Sequence, residues 1–223
     1  MVKIAASVMC ADFIELKRDL DLLRAGGVDY LHVDVMDGHY VPNFTLGQDF
    51  CAALARYCDL PLDIHLMIEN VDAYIPHFAR FPGAIVTIHP EVCYHPLRSI
   101  ALIKSLGARA GISLEPALGV ESVRYLLPEV DLVCVMTVNP GYAGQPLVPQ
   151  TIGKIGEVAR AVGSLGRPVE IEVDGNVSWS NIPRMLDAGA DVLVAGSSSL
   201  FEKDGELAAS LERLKRLVAG RPS

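Results

Sequence analysis

The chain has 223 residues, of which 51% are hydrophobic and 21% charged, and its formal net charge is −8. This composition is typical of a compact globule and excludes an intrinsically disordered chain, while the acidic balance argues against a nucleic-acid binder, which needs a basic surface. No apolar run is long enough to span a membrane, so we expect no membrane partner. An anionic substrate would need a local source of attraction, such as a metal ion or oriented backbone amides.

Eight β-like runs alternate with helical segments along the chain. The runs occupy residues 3–9, 30–36, 61–67, 84–89, 109–115, 131–138, 169–174 and 191–196. Helical periodicity is clearest in residues 13–27, 97–107, 120–127, 152–166 and 179–189. This alternation predicts right-handed βαβ units around a parallel sheet.

Two of the helical segments carry boundary signals. The apolar stripe of the first helix comprises Phe13, Leu16, Leu20 and Leu23. Gly26 and Gly27 follow this stripe and predict the end of that helix. In the segment 179–189, Ser180 is the expected N-cap and Gly189 the expected stop.

Two architectures accommodate these units, an open doubly wound sheet and a closed barrel. Eight strands in a chain of this length favour the barrel, and so does the polar or small residue on one face of nearly every strand. The chain contains no linker or second composition zone. We therefore predict the α/β class with one domain, a (β/α)8 TIM barrel over residues 1–223, and an active site at the carboxyl ends of its strands.

The five cysteines are Cys10, Cys51, Cys58, Cys93 and Cys134. They are scattered, odd in number and without a CxxC motif, which predicts buried, reduced thiols. The brief apolar run at the N-terminus meets acidic residues at once, so we expect a first core strand there and not a secretion signal. Both observations favour a cytoplasmic location.

Polar residues recur on one side of the predicted strands, and alternate residues of a strand point to opposite faces. This side carries Ser7; His32, Asp34 and Met36; Asp63, His65 and Met67; His89; Ser113 and Glu115; Cys134 and Met136; and Glu170, Glu172 and Asp174. We predict that these residues face the barrel interior.

His32, Asp34, His65 and Asp174 bring two imidazoles and two carboxylates to one barrel mouth. Such a donor set suits Zn²⁺, Fe²⁺, Mn²⁺ or Co²⁺. The same residues also suit a buried His–Asp network without a metal, and strand alternation alone leaves both interpretations open. Asp34 and Asp174 come from separate parts of the ring, so they can flank a carbon next to a carbonyl, where one removes a proton and the other returns it to the opposite face.

Three glycine-containing loops follow the later strands: NPGYAGQ (139–145), DGN (174–176) and AGSSS (195–199). The first lacks the lysine of a Walker loop. Ordinary turns between strand and helix also contain glycine. Their joint position after the sixth, seventh and eighth strands nevertheless favours a phosphate cradle of backbone N–H groups.

The chain resembles the ribulose-phosphate 3-epimerase family over nearly its whole length. The matching blocks are SVMCADF (7–13), HVDVMDGHYVPNFTLG (32–47), LDIHLMI (62–68), HPE (89–91), MTVNPGYAGQ (136–145), EVDGNV (172–177) and GADVLVAGS (189–197). The resemblance implies an isomerase of carbohydrate metabolism and the pentose phosphate pathway, a metal-dependent barrel of the ribulose-phosphate-binding type that epimerises ketose phosphates at C3.

The resemblance also implies the site residues. The metal ligands would be His32, Asp34, His65 and Asp174, with Asp34 and Asp174 as the paired acid and base in proton transfer through a metal-bound enediolate. Ser7, Met36, Met67 and Met136 would contact the substrate. The family's phosphate contacts map onto Gly144, Gly175, Gly196 and Ser197, and we extend this set to Gly141, Ala143, Gln145 and Asn176 in the same loops.

The same resemblance predicts the remaining components. We expect one divalent metal ion per subunit, with Zn²⁺ favoured, no organic cofactor, and a homo-oligomer that is a dimer or a hexamer. The loop 37–47 and Tyr142 would help to cover the substrate, and Asp37 belongs to the turn into that loop.

Departures from the family pattern bear on the substrate. Enzymes for ribulose 5-phosphate resemble SILSADF, NPGFGGQ and VDGGV, whereas Ala143, Pro146 and the segment 197–201 resemble the allulose-6-phosphate branch. Asn176, in place of glycine, is tolerable if its φ is positive. Glu115 would add a carboxylate at the mouth unless it pairs with Arg109 or another neighbour.

We predict conversion of D-ribulose 5-phosphate to D-xylulose 5-phosphate. The alternative within the same reaction class is conversion of D-allulose 6-phosphate to D-fructose 6-phosphate, or of a related ketose phosphate. The alternative of a different class is a barrel that binds a sugar phosphate without turnover. A Schiff-base aldolase is disfavoured, because Lys3 lies at the wrong end of its strand and the later strands supply no inward lysine.

Overall fold

Eight parallel strands close into a barrel in chain order, each paired with its sequence neighbour and the first with the last. The structure, a computed structural model, describes residues 1–203 and 205–219, so residue 204 and the last four residues of the predicted domain lie outside it. The strands are β1 (Lys3–Ser7), β2 (Tyr30–Met36), β3 (Leu62–Met67), β4 (Ile85–Ile88), β5 (Arg109–Leu114), β6 (Leu132–Met136), β7 (Glu170–Asp174) and β8 (Val192–Ala195). The predicted (β/α)8 barrel is confirmed.

Within residues 1–203 and 205–219, seven α-helices surround the strands. They are α1 (Leu16–Gly26), α2 (Gln48–Tyr57), α3 (Val71–Phe78), α4 (Pro96–Ser105), α5 (Thr151–Gly163), α6 (Ile182–Asp187) and α7 (Leu207–Val218). Among the described residues, no helix is both long and apolar enough to cross a membrane. All five cysteines are free; Cys51, Cys58 and Cys134 are buried as predicted, while Cys10 and Cys93 are only half-buried.

The register of β2 against β3 brings the polar residues together. His32 lies opposite Asp63, and Asp34 lies opposite His65. The alternate residues, such as Leu31 and Val33, join the large apolar core outside the strands. The period of two in the sequence thus separates a polar barrel interior from an apolar layer beneath the helices.

A set of ion pairs closes the amino-terminal end of the barrel. Lys3 Nζ donates to Tyr30 Oη at 2.7 Å and also pairs with Glu170. Arg109 Nη2 lies 2.9 Å from Glu170 Oε2. Arg109 therefore pairs with Glu170, so of the neighbours considered for Glu115, Arg109 is not the partner. Lys154 lies beside Glu115 instead, and its Nζ donates to the backbone oxygen of Glu115 at 2.8 Å. Lys3 lies at the end of the barrel opposite the strand carboxyl ends, as expected.

Several predicted element boundaries are wrong. α1 begins at Leu16, and Phe13, predicted on its apolar stripe, is 53% exposed. The N-cap position of α6 is Asn181, and Ser180 instead contacts Ser178 through its hydroxyl. The predicted end of α1 is confirmed, because Gly27 follows it with a φ of 69°.

The segment 120–127, predicted as a helix, forms two short 3₁₀ turns instead, Val120–Val123 and Leu127–Glu129. Pro128 disfavours the helical conformation of the residue before it, and eight residues are too few to compensate. The first strand likewise ends at Ser7, and Val8–Cys10 forms a 3₁₀ turn.

Candidate active site

A cleft with about 540 Å³ of empty space opens at the carboxyl ends of the strands. Two of the predicted metal ligands and all the predicted substrate and phosphate contacts line it: Ser7, Asp34, Met36, Met67, Met136, Gly141, Ala143, Gly144, Gln145, Asp174, Gly175, Asn176, Gly196 and Ser197. His32 and His65 are fully buried behind this surface. The cleft therefore gathers residues from β1, β2, β3, β6, β7 and β8.

The four candidate metal ligands converge at the base of the cleft. One donor atom from each of His32, Asp34, His65 and Asp174 lies within 4.8 Å of the others. His32 Nε2 is 3.2 Å from Asp34 Oδ1. His65 Nδ1 is 3.5 Å from Asp34 Oδ1 and 3.6 Å from Asp174 Oδ2.

The nitrogen on the other side of each imidazole is tied to a neighbouring side chain. His32 Nδ1 lies 2.6 Å from Asp63 Oδ2, and His65 Nε2 lies 2.9 Å from His89 Nε2. Such outer hydrogen bonds fix the tautomer and the orientation of a metal-binding histidine. They turn His32 Nε2 and His65 Nδ1 toward the carboxylates.

The electrostatics of the cluster reflect this mutual proximity. Burial alone would lower the pKa of His32, but the charges of Asp34 and Asp63 raise it well above its usual range. Burial likewise opposes ionisation of Asp34, yet His32 and His65 lower the pKa of that carboxyl. The pKa of His65 is raised against burial by Asp174 and Asp34. The carboxylates therefore favour a positive charge at the centre of the cluster.

The cluster fits a divalent cation. His65 Nδ1 is buried and has no hydrogen-bond partner, since its distances to Asp34 and Asp174 are too long for hydrogen bonds. An orphaned donor atom in a native interior calls for an explanation, and a mixed nitrogen and oxygen set without cysteine suits Zn²⁺ and other first-row ions.

A second polar layer lies beneath the ligands. Asp63 and Glu172 are fully buried, and together with His32 they form a further group within 4.8 Å. Burial and the charge of Asp63 raise the pKa of Glu172 well above its usual range. The sequence placed Asp63 inward but did not identify it as the partner of His32; the register of β2 and β3 supplies that signal.

The loops after β6 and β7 carry backbone conformations that suit a cradle of N–H groups. Gly175 has a φ of 106°, and a Cβ atom there would lie 2.5 Å from Val138 Cγ2. Asn176 has a φ of 44°, which meets the condition predicted for it, and its Nδ2 donates to Gln145 O at 2.6 Å. Among the described residues lining the cleft, none is a lysine or an arginine.

The loop 37–47 lies against the loop after β6. Asn43 Nδ2 donates to Gly141 O at 2.9 Å, and Tyr142 Oη donates to Pro42 O at 2.7 Å. Asp37 caps the turn into this loop through the N–H groups of His39 and Tyr40. Asp37 thus belongs to the turn and not to the barrel interior, as predicted.

Sequence reasoning missed other residues of the cleft. Met9 and Cys10 line it from the 3₁₀ turn after β1, and Val138, Val177, Val194 and Ser198 also line it. Cys10 follows Ser7 by three residues, which is one turn of a 3₁₀ helix, so recognising that turn would have placed it. The structure also brings together Tyr40, His89 and Glu91 beside His65.

Comparison with known proteins shows clear relatives. The model of the ribulose-phosphate 3 epimerase family matches residues 3–201. The ribulose-phosphate 3-epimerase of Bacillus subtilis is 43% identical, with 94% of this chain and 97% of the relative covered. The ribulose-phosphate 3-epimerase of Escherichia coli K12 is 41% identical, with 90% of each chain covered.

Similar solved structures include more distant barrels. Orotidine 5'-phosphate decarboxylase from Pyrococcus horikoshii aligns over 97% of this chain and 99% of its own, with a TM-score of 0.68 and 13% identity. Phosphoribosyl anthranilate isomerase from Thermococcus kodakaraensis aligns over 99% and 100%, with a TM-score of 0.67 and 12% identity. At this identity, the likeness concerns the fold alone.

Proposed function

Because the chain belongs to the ribulose-phosphate 3-epimerase family, a family of metal-dependent epimerases, and is therefore an isomerase, we propose that it interconverts D-ribulose 5-phosphate and D-xylulose 5-phosphate. The observation that carries the proposal is the position of two carboxylates from distant strands. Asp34 and Asp174 each lie within 4 Å of the orphaned Nδ1 of His65. Membership of this family disfavours the alternative of a binding barrel without turnover.

Asp34 and Asp174 are the two proton carriers of the proposed reaction. One removes the C3 proton of the substrate, and the other delivers a proton to the opposite face of the same carbon. Asp34 is suited to begin as the base, because its carboxylate lines the cleft and Ser7 Oγ donates to its Oδ2 at 3.2 Å, which holds that oxygen in place. The reverse reaction exchanges the roles of the two residues.

The resident cation is held by His32, Asp34, His65 and Asp174 in this proposal. When bound, a divalent ion supplies Lewis-acid stabilisation of the negative charge that develops on the substrate oxygens. Zn²⁺ is the favoured ion, since two imidazoles and two carboxylates make a mixed nitrogen and oxygen set.

The rest of the cleft binds and shields the substrate. Met36 and Met67 pack with Val41 of the loop 37–47, and Met136 lines the same cleft. These thioether side chains exclude water from the reacting carbons and carry no group that takes up a proton near pH 7. The phosphate lies in the loops after β6, β7 and β8, where backbone N–H groups of Gly144, Gly175 and Gly196 replace basic side chains.

A second substrate deserves testing, D-allulose 6-phosphate. Asn176 replaces a family glycine and ties its side chain to Gln145 O, so the wall of the phosphate cradle differs from the glycine-only form. The proposal further includes one catalytic domain over residues 1–223, a dimer or hexamer, and a cytoplasmic location.

The decisive experiment follows the C3 proton. The purified protein with added Zn²⁺ is incubated in D₂O with ribulose 5-phosphate and, separately, with allulose 6-phosphate, and C3 deuteration is measured by NMR. We expect deuterium at C3 of both pentose epimers and faster exchange with the pentose than with the hexose. Absence of exchange with either substrate would refute the proposed reaction, and faster exchange with allulose 6-phosphate would assign the hexose substrate.

A further inference from the structure

A line of three side chains runs from His65 away from the proposed metal position. His65 Nε2 lies 2.9 Å from His89 Nε2, and the two ring planes differ by 16°. His89 Nδ1 lies 2.9 Å from Glu91 Oε1. Tyr40 Oη donates to the same Glu91 oxygen at 2.6 Å and lies 2.9 Å from His89 Nδ1. His65 and His89 are fully buried, so the contact between their rings is shielded from water, whereas Glu91 is partly exposed.

If His65 is to bind a cation, the hydrogen bonds between these side chains must all have the same direction: His65 donates to His89, and His89 donates to Glu91. An ionised carboxylate accepts and does not donate, so His89 donates from Nδ1 to Glu91. A neutral imidazole with a proton on Nδ1 accepts at Nε2, so His65 must donate from its own Nε2. The lone pair of His65 then lies on Nδ1, the orphaned atom that faces Asp34 and Asp174.

Loss of Glu91 would remove this directionality. Only the Tyr40 hydroxyl would remain at His89 Nδ1, and a hydroxyl can donate to that nitrogen as well as accept from it. His89 could then carry its proton on Nε2 and donate to His65 Nε2. His65 would then carry its proton on Nδ1, and that nitrogen could no longer bind a cation. Glu91 therefore selects the tautomers of two histidines in series, although it lies at the protein surface with a quarter of its side chain exposed.

Tyr40 adds a link from a different part of the chain. It belongs to the loop 37–47, and its ring centroid lies 4.8 Å from that of His89. Its hydroxyl donates to Glu91 and holds the acceptor oxygen in place. Tyr142 provides a natural comparison, because its hydroxyl also fastens this loop but bonds only Pro42 O among the contacts described.

We propose that His89, Glu91 and Tyr40 are positioning residues that fix the tautomer and orientation of His65 and thereby strengthen divalent-metal binding. This proposal rests on the proposed function, since it takes His65 as a metal ligand. It adds that a surface carboxylate and a tyrosine of the covering loop contribute to metal affinity without touching the metal.

The test is the affinity for Co²⁺ alone, measured by competition with a chromogenic chelator, together with the visible spectrum of the Co²⁺-loaded protein. Glu91→Ala should weaken Co²⁺ binding about 10–100-fold, the range for loss of an outer partner of a metal ligand. Glu91→Gln retains an acceptor oxygen and should restore most of the affinity. Tyr40→Phe should weaken binding by a smaller factor, and each weakened variant should alter the d–d bands.

Tyr142→Phe is the matched control, and its Co²⁺ affinity should stay within twofold of the wild type. Equal losses in Tyr40→Phe and Tyr142→Phe would mean that general loosening of the loop is responsible, and would overturn the proposal. Wild-type affinity in both Glu91→Ala and Tyr40→Phe would also overturn it. If Glu91→Ala does not fold, Tyr40→Phe against Tyr142→Phe decides. A wild-type protein that binds no Co²⁺ would instead refute the metal site of the proposed function itself.

Discussion

The two ends of the barrel differ in whether their polar side chains have partners within the protein. At the amino-terminal end, Lys3, Arg109, Tyr30 and Glu170 satisfy one another with direct hydrogen bonds and ion pairs. At the carboxyl end, His65 Nδ1 is buried without a hydrogen-bond partner, and no lysine or arginine lines the described cleft. The polar groups named at the first end satisfy one another, whereas the second end has polar groups that could bind a ligand. In barrels of this kind, stability residues and catalytic residues divide between the same two ends.

The largest effect is expected from substitutions of the two aspartates at the carboxyl end of the barrel. Asp34→Asn and Asp174→Asn should each lower kcat by about 10²–10⁴-fold at saturating metal, because each removes one of the two proposed proton carriers. Turnover of ribulose 5-phosphate and C3 deuteration in D₂O measure the loss. Glu170→Gln, which alters the opposite end, is the control and should retain activity at low temperature. Near-wild-type turnover in either aspartate variant would contradict the two-base mechanism.

Removal of the metal tests whether the carboxyl end needs a ligand for stability as well as for turnover. Dialysis against a chelator should abolish activity, and Zn²⁺ should restore it. Zn²⁺ at one hundred times its dissociation constant should also raise the free energy of unfolding by about 2.7 kcal/mol, provided the unfolded chain does not bind it. Thermal unfolding with and without Zn²⁺ measures this difference. Full activity after chelation would exclude the metal from the mechanism.

Glu170→Gln tests the ion pairs at the amino-terminal end. The substitution should lower the free energy of unfolding by about 2 kcal/mol, because it leaves Lys3 and Arg109 without their shared carboxylate. Denaturant unfolding measures this loss. Glu121→Gln, in an exposed pair with Arg124, is the matched control and should change stability by less than about 0.5 kcal/mol.

The stabilisation of the folded protein by Glu170 should depend on pH in a defined direction. Although burial opposes it, hydrogen bonding to Lys3 and Arg109 lowers the pKa of Glu170 in the folded protein below the ordinary value of 4.5. The stabilisation is thus present above pH 4.5 and is lost as the pH falls through the folded pKa. The stability difference between wild type and Glu170→Gln should therefore narrow below pH 4.5. A stability difference that widens on acidification would contradict the lowered pKa of Glu170 in the folded protein.

Gly175→Ala should have the smallest of these effects, a weaker binding of the sugar phosphate, because the substitution changes only the phosphate cradle. The added methyl group meets Val138, and the residue must keep a φ of 106° that alanine disfavours. We expect KM for the sugar phosphate to rise about tenfold, equivalent to about 1.4 kcal/mol. Gly107→Ala is the control, because Gly107 also has a positive φ, of 91°, but lies just after α4 and away from the cleft. This substitution should lower stability without changing KM.

Much of the site was accessible from the sequence because strand alternation is local. Two-residue periodicity placed His32 and Asp34 inside, and the barrel rule placed the three glycine loops at one mouth. The pairing of His32 with Asp63 required the register between two strands, which the sequence does not state. Tyr40, His89 and Glu91 were missed as a unit because a loop and a distant strand meet only in three dimensions. The predicted start of α1 at Phe13 was wrong, because the residues around Asp12 form a turn although Phe13 fits the apolar stripe of the helix.

The lack of basic side chains in the cleft has a consequence for the kinetics of encounter. A protein of formal charge −8 repels an approaching phosphate at long range, and backbone amides attract it only at contact. Dissolved salt screens the long-range repulsion within about 10 Å at 0.1 M, while it affects the enclosed amide contacts much less. Substrate association should therefore quicken slightly as ionic strength rises, in contrast to enzymes that steer anions with lysines and slow down under the same conditions.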